Sequence, residues 1–307
     1  MRGRLVVALL ALGLVAAGCS VRKFAANRLG SALAAGGSTW AEDDDPALVG
    51  DALPFALKTL ESLIVASPDN PQLLLGACRG FVSYAAGFVE PEIDELPAAE
   101  FERATALRER ALRLHLRARG YCRRARALRY PRAAAGLEAD PRGALAGVPR
   151  AGVELLYWTG AAWGSAAALG LDRPELTADL PSVRAIFDRA LELDPDYDRG
   201  GLQEALLPLE ALPPMLGGSE ARARERYARA LELAGGRRAS PYVTWARTYA
   251  VGRQDRAAFD AAIAAALAID PDASAADRLA NRLAQARARS LAAHADELFF
   301  AEEATDP

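Results

Sequence analysis

One phrase recurs along the second half of the chain and limits what the rest can become. Ala190-Leu-Glu-Leu-Asp-Pro-Asp196 returns as Ala230-Leu-Glu-Leu-Ala-Gly-Gly236 and as Ala266-Leu-Ala-Ile-Asp-Pro-Asp272. A degenerate copy lies at Leu63-Ile-Val-Ala-Ser-Pro-Asp69, and a bulky apolar residue precedes each copy by three positions: Leu60, Phe187, Tyr227 and Ile263. The bulky residue and the small residue after it share one helical stripe, and alanine there lets a neighbouring helix come close. Asp-Pro then stops the helix, because the residue before proline avoids the α region and proline cannot continue the hydrogen-bond ladder. The later copies start 40 and 36 residues apart, close to the spacing of tetratricopeptide (TPR) hairpins. The expectation is an all-α fold: a compact TPR-like array of helical hairpins.

Neighbouring segments agree. Ser240-Pro241 reads as a helix start with proline in the first turn, and Gly217-Gly218-Ser219-Glu220 as a turn followed by a capped start with an acid in place. No turn joins two alternating apolar runs, so hairpin strands are not expected. A last helix from Ala275 to about Phe300, with Leu279, Leu283, Ala286 and Leu291, would cap the array. Residues 97–132 depart from repeat length. Ala104, Leu107, Ala111, Leu114, Ala118, Tyr121, Ala125 and Leu128 describe one long amphipathic helix, or two coaxial ones broken near Gly120. Ten arginines lie between Arg108 and Arg132 against the single acid Glu109. A solvated helix face is the favoured reading, with an acidic partner or anionic lipid headgroups as the alternative. Prolines and glycines in 131–152 predict an internal loop with one short helix.

The first residues address the chain rather than fold it. Arg2 and Arg4 precede an apolar run from Leu5 to Val15, too short to span a bilayer, and Ala16-Ala17-Gly18 leads into Cys19. Residues 1–18 read as a signal peptide. The junction resembles the bacterial lipobox, which makes Cys19 the expected lipid-attachment residue. Residues 19–45 read as a lipidated tether, and 46–307 as a single TPR-like domain. Ser20, rather than an aspartate, favours the outer membrane. Removing the signal takes away Arg2 and Arg4, so 35 basic residues face 40 acidic ones, a formal charge of −5. A mildly acidic exported chain is a poor nucleic-acid binder.

Nothing in the sequence assembles a reactive centre. His115 and His294 have no histidine or cysteine at metal-ligand spacing, and both read as surface or cap residues. No nucleophile elbow or phosphate loop is present, and the chain is expected to be no enzyme and to need no metal or cofactor. Cys78 and Cys122 lie in helical patterns 44 positions apart; two buried unpaired thiols are the favoured reading, with a bridge left open. The best binding candidate is Tyr157-Trp158-Thr159-Gly160-Ala161-Ala162-Trp163-Gly164. Tyr157, Trp158 and Trp163 could line an apolar ligand space. Five positions apart, the two tryptophans cannot face one direction, so one of them is expected in the core.

Three segments in order carry a family likeness: Leu156-Tyr-Trp-Thr-Gly-Ala-Ala-Trp-Gly164, then Leu216-Gly-Gly-Ser-Glu-Ala-Arg222 with Tyr227 and Ala230, then Arg278-Leu-Ala-Asn-Arg-Leu-Ala-Gln285 ending in Asp296-Glu-Leu-Phe299. With these the chain resembles the T component of tripartite ATP-independent periplasmic (TRAP) transporters. The resemblance implies a periplasm-facing TPR-like lipoprotein that partners the solute-binding P subunit. It also implies a homo-oligomer, with a trimer as one form, and an internal channel for apolar or organic-acid ligands. A TPR lipoprotein scaffold for outer-membrane assembly or secretion machinery is the alternative from another class.

Overall fold

The structure, a computed structural model, describes residues 37–137 and 139–300 together with Asn27 and Arg28; Cys19 and the signal segment lie outside the described residues. Helices follow one another with no strand among the described residues. The Asp45 carboxylate accepts from the Leu48 amide at 3.0 Å and starts α1, Pro46–Ala66, which ends where Ser67 precedes Pro68. Asn70 caps α2, Pro71–Asp94, whose path includes one widened π turn at Ala85–Val89. The helix α2 is long and apolar enough to cross a membrane, yet half of that apolar window is buried inside the fold. It is a core helix here.

The remaining long helices are α3, Phe101–Arg129; α4, Val153–Leu169; α5, Leu180–Leu193; α6, Gly201–Ala211; α7, Glu220–Ala234; α8, 240–253, with a second π turn at Ala246–Ala250; α9, Arg256–Ala268; and α10, Arg278–Ala293. Sequential helices pack on one another, and α10 returns to touch the last turn of α2 and a short leading helix, Gly37–Ala41. The repeated alanines do what the phrase implies. Ala190, Ala230 and Ala266 have no exposed surface, and Phe187 and Ile263 are buried beside them. Gly160 serves the same purpose from the other side: a Cβ there would stand 2.7 Å from the Phe187 ring, so only glycine lets α4 and α5 approach this closely.

Four expectations need correction. First, α3 is the single long helix of the two readings, but its buried face is Ala111, Leu112, His115, Ala118, Cys122, Ala125 and Arg126. Leu128, assigned to the core stripe, is 44% exposed. The face is rotated because a histidine, a cysteine and an arginine, which a hydrophobic count treats as outward, carry part of it. Second, Cys78 and Cys122 are joined, with Cα atoms 5.4 Å apart, because the close contact of α2 with α3 brings the two helical positions together. Third, His115 is fully buried and bonded to the Glu90 carboxylate at 2.8 Å, rather than at the surface. Fourth, 131–152 holds two short helices, Pro131–Gly136 and Pro141–Leu145, and a tight turn at Arg150–Gly152, each started by a proline.

Candidate functional site: an apolar cavity between α1, α2, α4 and α10

A cavity of about 660 Å³ lies where α10 and the short leading helix close over the face of α1, α2 and α4. Its size falls within the range of small-molecule sites. Val49, Leu53, Leu57 and Leu60 of α1 form one wall and Leu279, Ala280 and Leu283 of α10 another. Gly76 and Gly80, one turn apart on α2, line the floor, where Leu57 packs so closely that a Cβ at Gly80 would stand 2.6 Å from its Cδ2, and Phe88, carried on the π turn of α2, adds an aromatic wall. Trp40 adds an indole from the leading helix. The polar edge consists of Arg79, Ser83, Glu154, Tyr197 and Asp198. Arg79 and Glu154 face each other at 3.6 Å, longer than a direct hydrogen bond.

The aromatic segment of α4 divides. Tyr157 and Trp158 are on the cavity wall, packed edge to face at 5.1 Å, and Tyr157 also meets Tyr197 at 5.2 Å. Burial, then the charges of Asp198 and Glu204, push the Tyr157 phenol well above its ordinary pKa, so it stays a neutral donor. Trp163 is elsewhere. It is 3% exposed, its Nε1 donates to Asp179 at 2.8 Å, and the Arg119 guanidinium lies 3.9 Å over its ring. Arg119 also pairs with Asp179 at 3.0 Å, so indole, carboxylate and guanidinium lock one another. The sequence separated the two tryptophans correctly by angle but could not say which faced inward to a void.

The edge at Asp198 is held by force. Asp198, Arg199 and Gly200 are consecutive residues in the left-handed region (φ 51°, 50° and 97°), and a Cβ at Gly200 would stand 2.9 Å from the Ala230 carbonyl oxygen. Two non-glycine residues there cost on the order of 1–3 kcal/mol each and persist only where the surroundings determine them. Arg238 supplies that. It donates to both Asp198 carboxylate oxygens (2.8 and 3.2 Å) and to the Asp198 carbonyl (2.6 Å). Arg199 grips the buried Asp277 with two bonds, 2.8 and 2.6 Å, and Arg238 Nε and the Ser274 hydroxyl complete that carboxylate. Burial pulls the Asp277 pKa up, but the donors outweigh it and hold the carboxyl below its usual range.

Two ties fix α10 over the opening. Arg287 Nε donates to Asp94 at 2.7 Å beyond the Phe88 end, and the Ser290 hydroxyl donates to the Asp94 carbonyl at 3.1 Å. At the other end Arg278 donates to the Glu42 carbonyl at 2.7 Å, tying α10 to the leading segment. Sequence reasoning missed Trp40, Phe88, the α1 wall and the α10 wall, since it had no way to know that helices at opposite ends of the chain meet. The Gly76–Gly80 pair was the one local sign available. Among the described residues no group of three histidine, cysteine or carboxylate side chains is placed to hold a metal. His294 turns its Nδ1 to the Ser290 carbonyl at 3.0 Å, one turn back.

An all-helical protein with an apolar cavity walled by its two ends is the class that these features define. The sequence pattern of the family described as TRAP transporter T-component matches residues 42–299, and the chain belongs to that family. It is therefore an accessory transporter component of a membrane-associated, periplasm-facing system, from a family not known for enzymes. It is also similar to an uncharacterized protein of Treponema pallidum (strain Nichols), 29% identical over 306 residues, spanning 94% of this chain and 95% of the relative.

Proposed function

We propose that the chain, anchored to a membrane through an acyl group on Cys19 and exposed to the periplasm, with the outer membrane favoured, holds an apolar or organic-acid ligand in the α1–α2–α4–α10 cavity. It passes that ligand to or from the solute-binding P subunit of its transporter, and it does so as a homo-oligomer. The observation that carries the reading is the cavity itself: aliphatic and aromatic walls, a neutral phenol inside, and charged groups confined to one edge. Such a space takes an apolar body and leaves a polar head near Arg79 and Glu154. The scaffold alternative is less well supported, because the cavity is walled by aliphatic and aromatic side chains, with few groups to hydrogen-bond an extended peptide.

The test has two arms. Native mass spectrometry of the purified chain should show a co-purified small molecule, and an apolar fluorescent probe should compete with it. Substituting Leu57→Glu and Leu283→Glu should abolish both signals; undiminished probe binding in those variants would place the ligand elsewhere. Chemical cross-linking in whole periplasm should recover a solute-binding subunit, and recovery of none would remove the P-subunit part of the reading.

A further inference from the structure

The ion pairs of α3 use some of its arginines and leave others over. Arg103 pairs with Glu100, Arg119 with Asp179, and Arg173 of the next segment takes Glu109. Arg123, Arg129 and Arg132, at the far end of α3 and the start of the following helix, are exposed and meet no carboxylate among the described residues. Arg124 beside them is exposed as well and uses one nitrogen on the Pro68 carbonyl at 3.0 Å, in the α1–α2 turn. Leu128, 44% exposed, stands among them, and Asp69 is the acid of that turn. So four arginines stand around one end of α3, Arg123, Arg124 and Arg129 spaced roughly 100–140° apart about its axis, in a chain whose net charge is −3.

A second observation fixes what lies opposite. The same α1–α2 turn holds Asn27, for Asn70 donates its side-chain amide to the Asn27 side-chain carbonyl oxygen at 2.8 Å. Seven residues lie between Cys19 and Asn27, so the two are at most about 28 Å apart along fully extended chain. Those residues include Arg22 and Lys23, and no acid occurs between Cys19 and Ala41. An acyl group on Cys19 therefore keeps the bilayer within that reach of Asn27 and of the α1–α2 turn that Arg124 also touches.

We propose that the end of the molecule formed by Arg123, Arg124, Arg129 and Arg132 is an anionic-phospholipid surface, which seats the protein on the membrane beside its acyl chain. The proposal rests on Cys19 acylation for its geometry. Each guanidinium offers a planar fork suited to phosphate oxygens, and clusters of four or more basic residues next to an anchor are attracted to anionic headgroups. Attraction of this kind fades within a Debye length, about 8 Å at physiological salt, so it acts only if the surface rests on the headgroups. The exposed Leu128 adds an apolar contact at the same place. The consequence for transport is orientation: the helical body meets the membrane with one end, always the same one.

The experiment places the full acylated chain in vesicles of phosphatidylcholine alone and of phosphatidylcholine with one-third phosphatidylglycerol. Arginines are then modified with phenylglyoxal and quantified by mass spectrometry. Modification of Arg123, Arg129 and Arg132 should fall several-fold in the anionic vesicles and recover in 0.5 M salt. Arg103, 20 residues away on the same helix and so about 30 Å distant, serves as the internal reference and should not change. In an Arg123→Gln, Arg129→Gln, Arg132→Gln variant, Arg124 should lose its protection while the urea midpoint stays put. Equal reactivity in both vesicles overturns the proposal, and so does protection that follows an added soluble acidic protein instead of phosphatidylglycerol content. Failure of the chain to float with neutral vesicles would refute the acyl anchor alone; protection of these arginines on anionic vesicles would still decide the surface.

Discussion

The two halves of the molecule solve the same packing problem differently. In the N-terminal half, α1, α2 and α4 spread their leucines and aromatics around an open space, and Cys78 is bridged to Cys122 directly behind the wall that carries Gly76, Arg79 and Gly80. In the C-terminal half, α7 to α10 pack closely. Ala223, Ala246, Ala250 and Ala288 are completely buried, and Tyr227, Trp245 and Tyr249 stack at 4.4 and 3.9 Å. A cavity wall forgoes the dispersion contacts a filled core would make. The half that supplies most of this cavity's wall is stapled covalently, whereas the other relies on alanine contacts and a buried ion cluster. Stability and binding capacity are thus divided between regions, and α10 joins them by lending its outer leucines to the cavity.

If the ion cluster is what holds the C-terminal half to the cavity edge, Asp277→Ala should produce the largest loss in the molecule. Two arginines would be left around an empty position, and breaking a buried charge network typically costs about 3–5 kcal/mol. With Arg199 no longer gripped by Asp277, the left-handed turn at Asp198 keeps only its bonds to Arg238 and should loosen, shifting Tyr197 on the cavity wall. Urea unfolding measures the first effect and probe affinity the second. A midpoint within experimental scatter of the parent would mean that the cluster only decorates the fold.

Next in size is the contrast inside α4. Trp163→Ala removes a buried indole and leaves Asp179 short of a donor, so it should cost roughly 3–5 kcal/mol and barely alter ligand affinity. Trp158→Ala, on the cavity wall, should reverse that pattern, with a small stability change and a clear loss of probe binding. Equal behaviour of the two would end the distinction between core and wall. Residue spacing had shown only that these two side chains must diverge. Which one meets a void depends on α1 and α10, whose contribution is invisible locally, and on Trp40, which lies in a segment that reads as a leader. The helices themselves were legible because their ends are written in short-range chemistry: Asp45, Asn70, Ser219 and Asp255 each accept an amide at a helix start. The buried face of α3 was not, since His115, Cys122 and Arg126 are buried by partners on other helices. The disulfide was illegible for the same reason.

The staple gives the third prediction. Its loop closes over 44 residues, and the chain-entropy relation assigns a crosslink of that span about 4 kcal/mol at most, with native distortions usually lowering the figure. Reducing agent, or Cys78→Ser with Cys122→Ser, should lower the urea midpoint by about 2–4 kcal/mol of stability. Hydrogen exchange should place the loss in α1 to α3 and leave α7 to α9 unchanged. A loss spread evenly over all helices would mean that the halves unfold as one unit and that the contrast between them has no thermodynamic content.

The smallest effect comes from the seam. Glu204 of α6 is half-buried where the two halves meet, and it accepts the Ser240 hydroxyl at 2.8 Å and the Thr244 hydroxyl at 2.9 Å. Burial raises its pKa more than those two bonds and Arg238 lower it. A carboxyl whose folded pKa is raised supports the fold fully while protonated, below the ordinary glutamate value of about 4.3. That support is lost as pH climbs through the higher folded value. Glu90 and Asp277, whose pKa values are depressed, act in the opposite sense and weaken the fold on acidification, but they are common to parent and variant and cancel in the difference. Glu204→Gln keeps the two hydroxyl bonds without the charge. Its urea midpoint should match the parent near pH 4 and exceed it at pH 7–8, the gap opening as pH rises. A gap that stays constant across this range would show that Glu204 is ionised in the fold already, with the seam polar enough to keep it so.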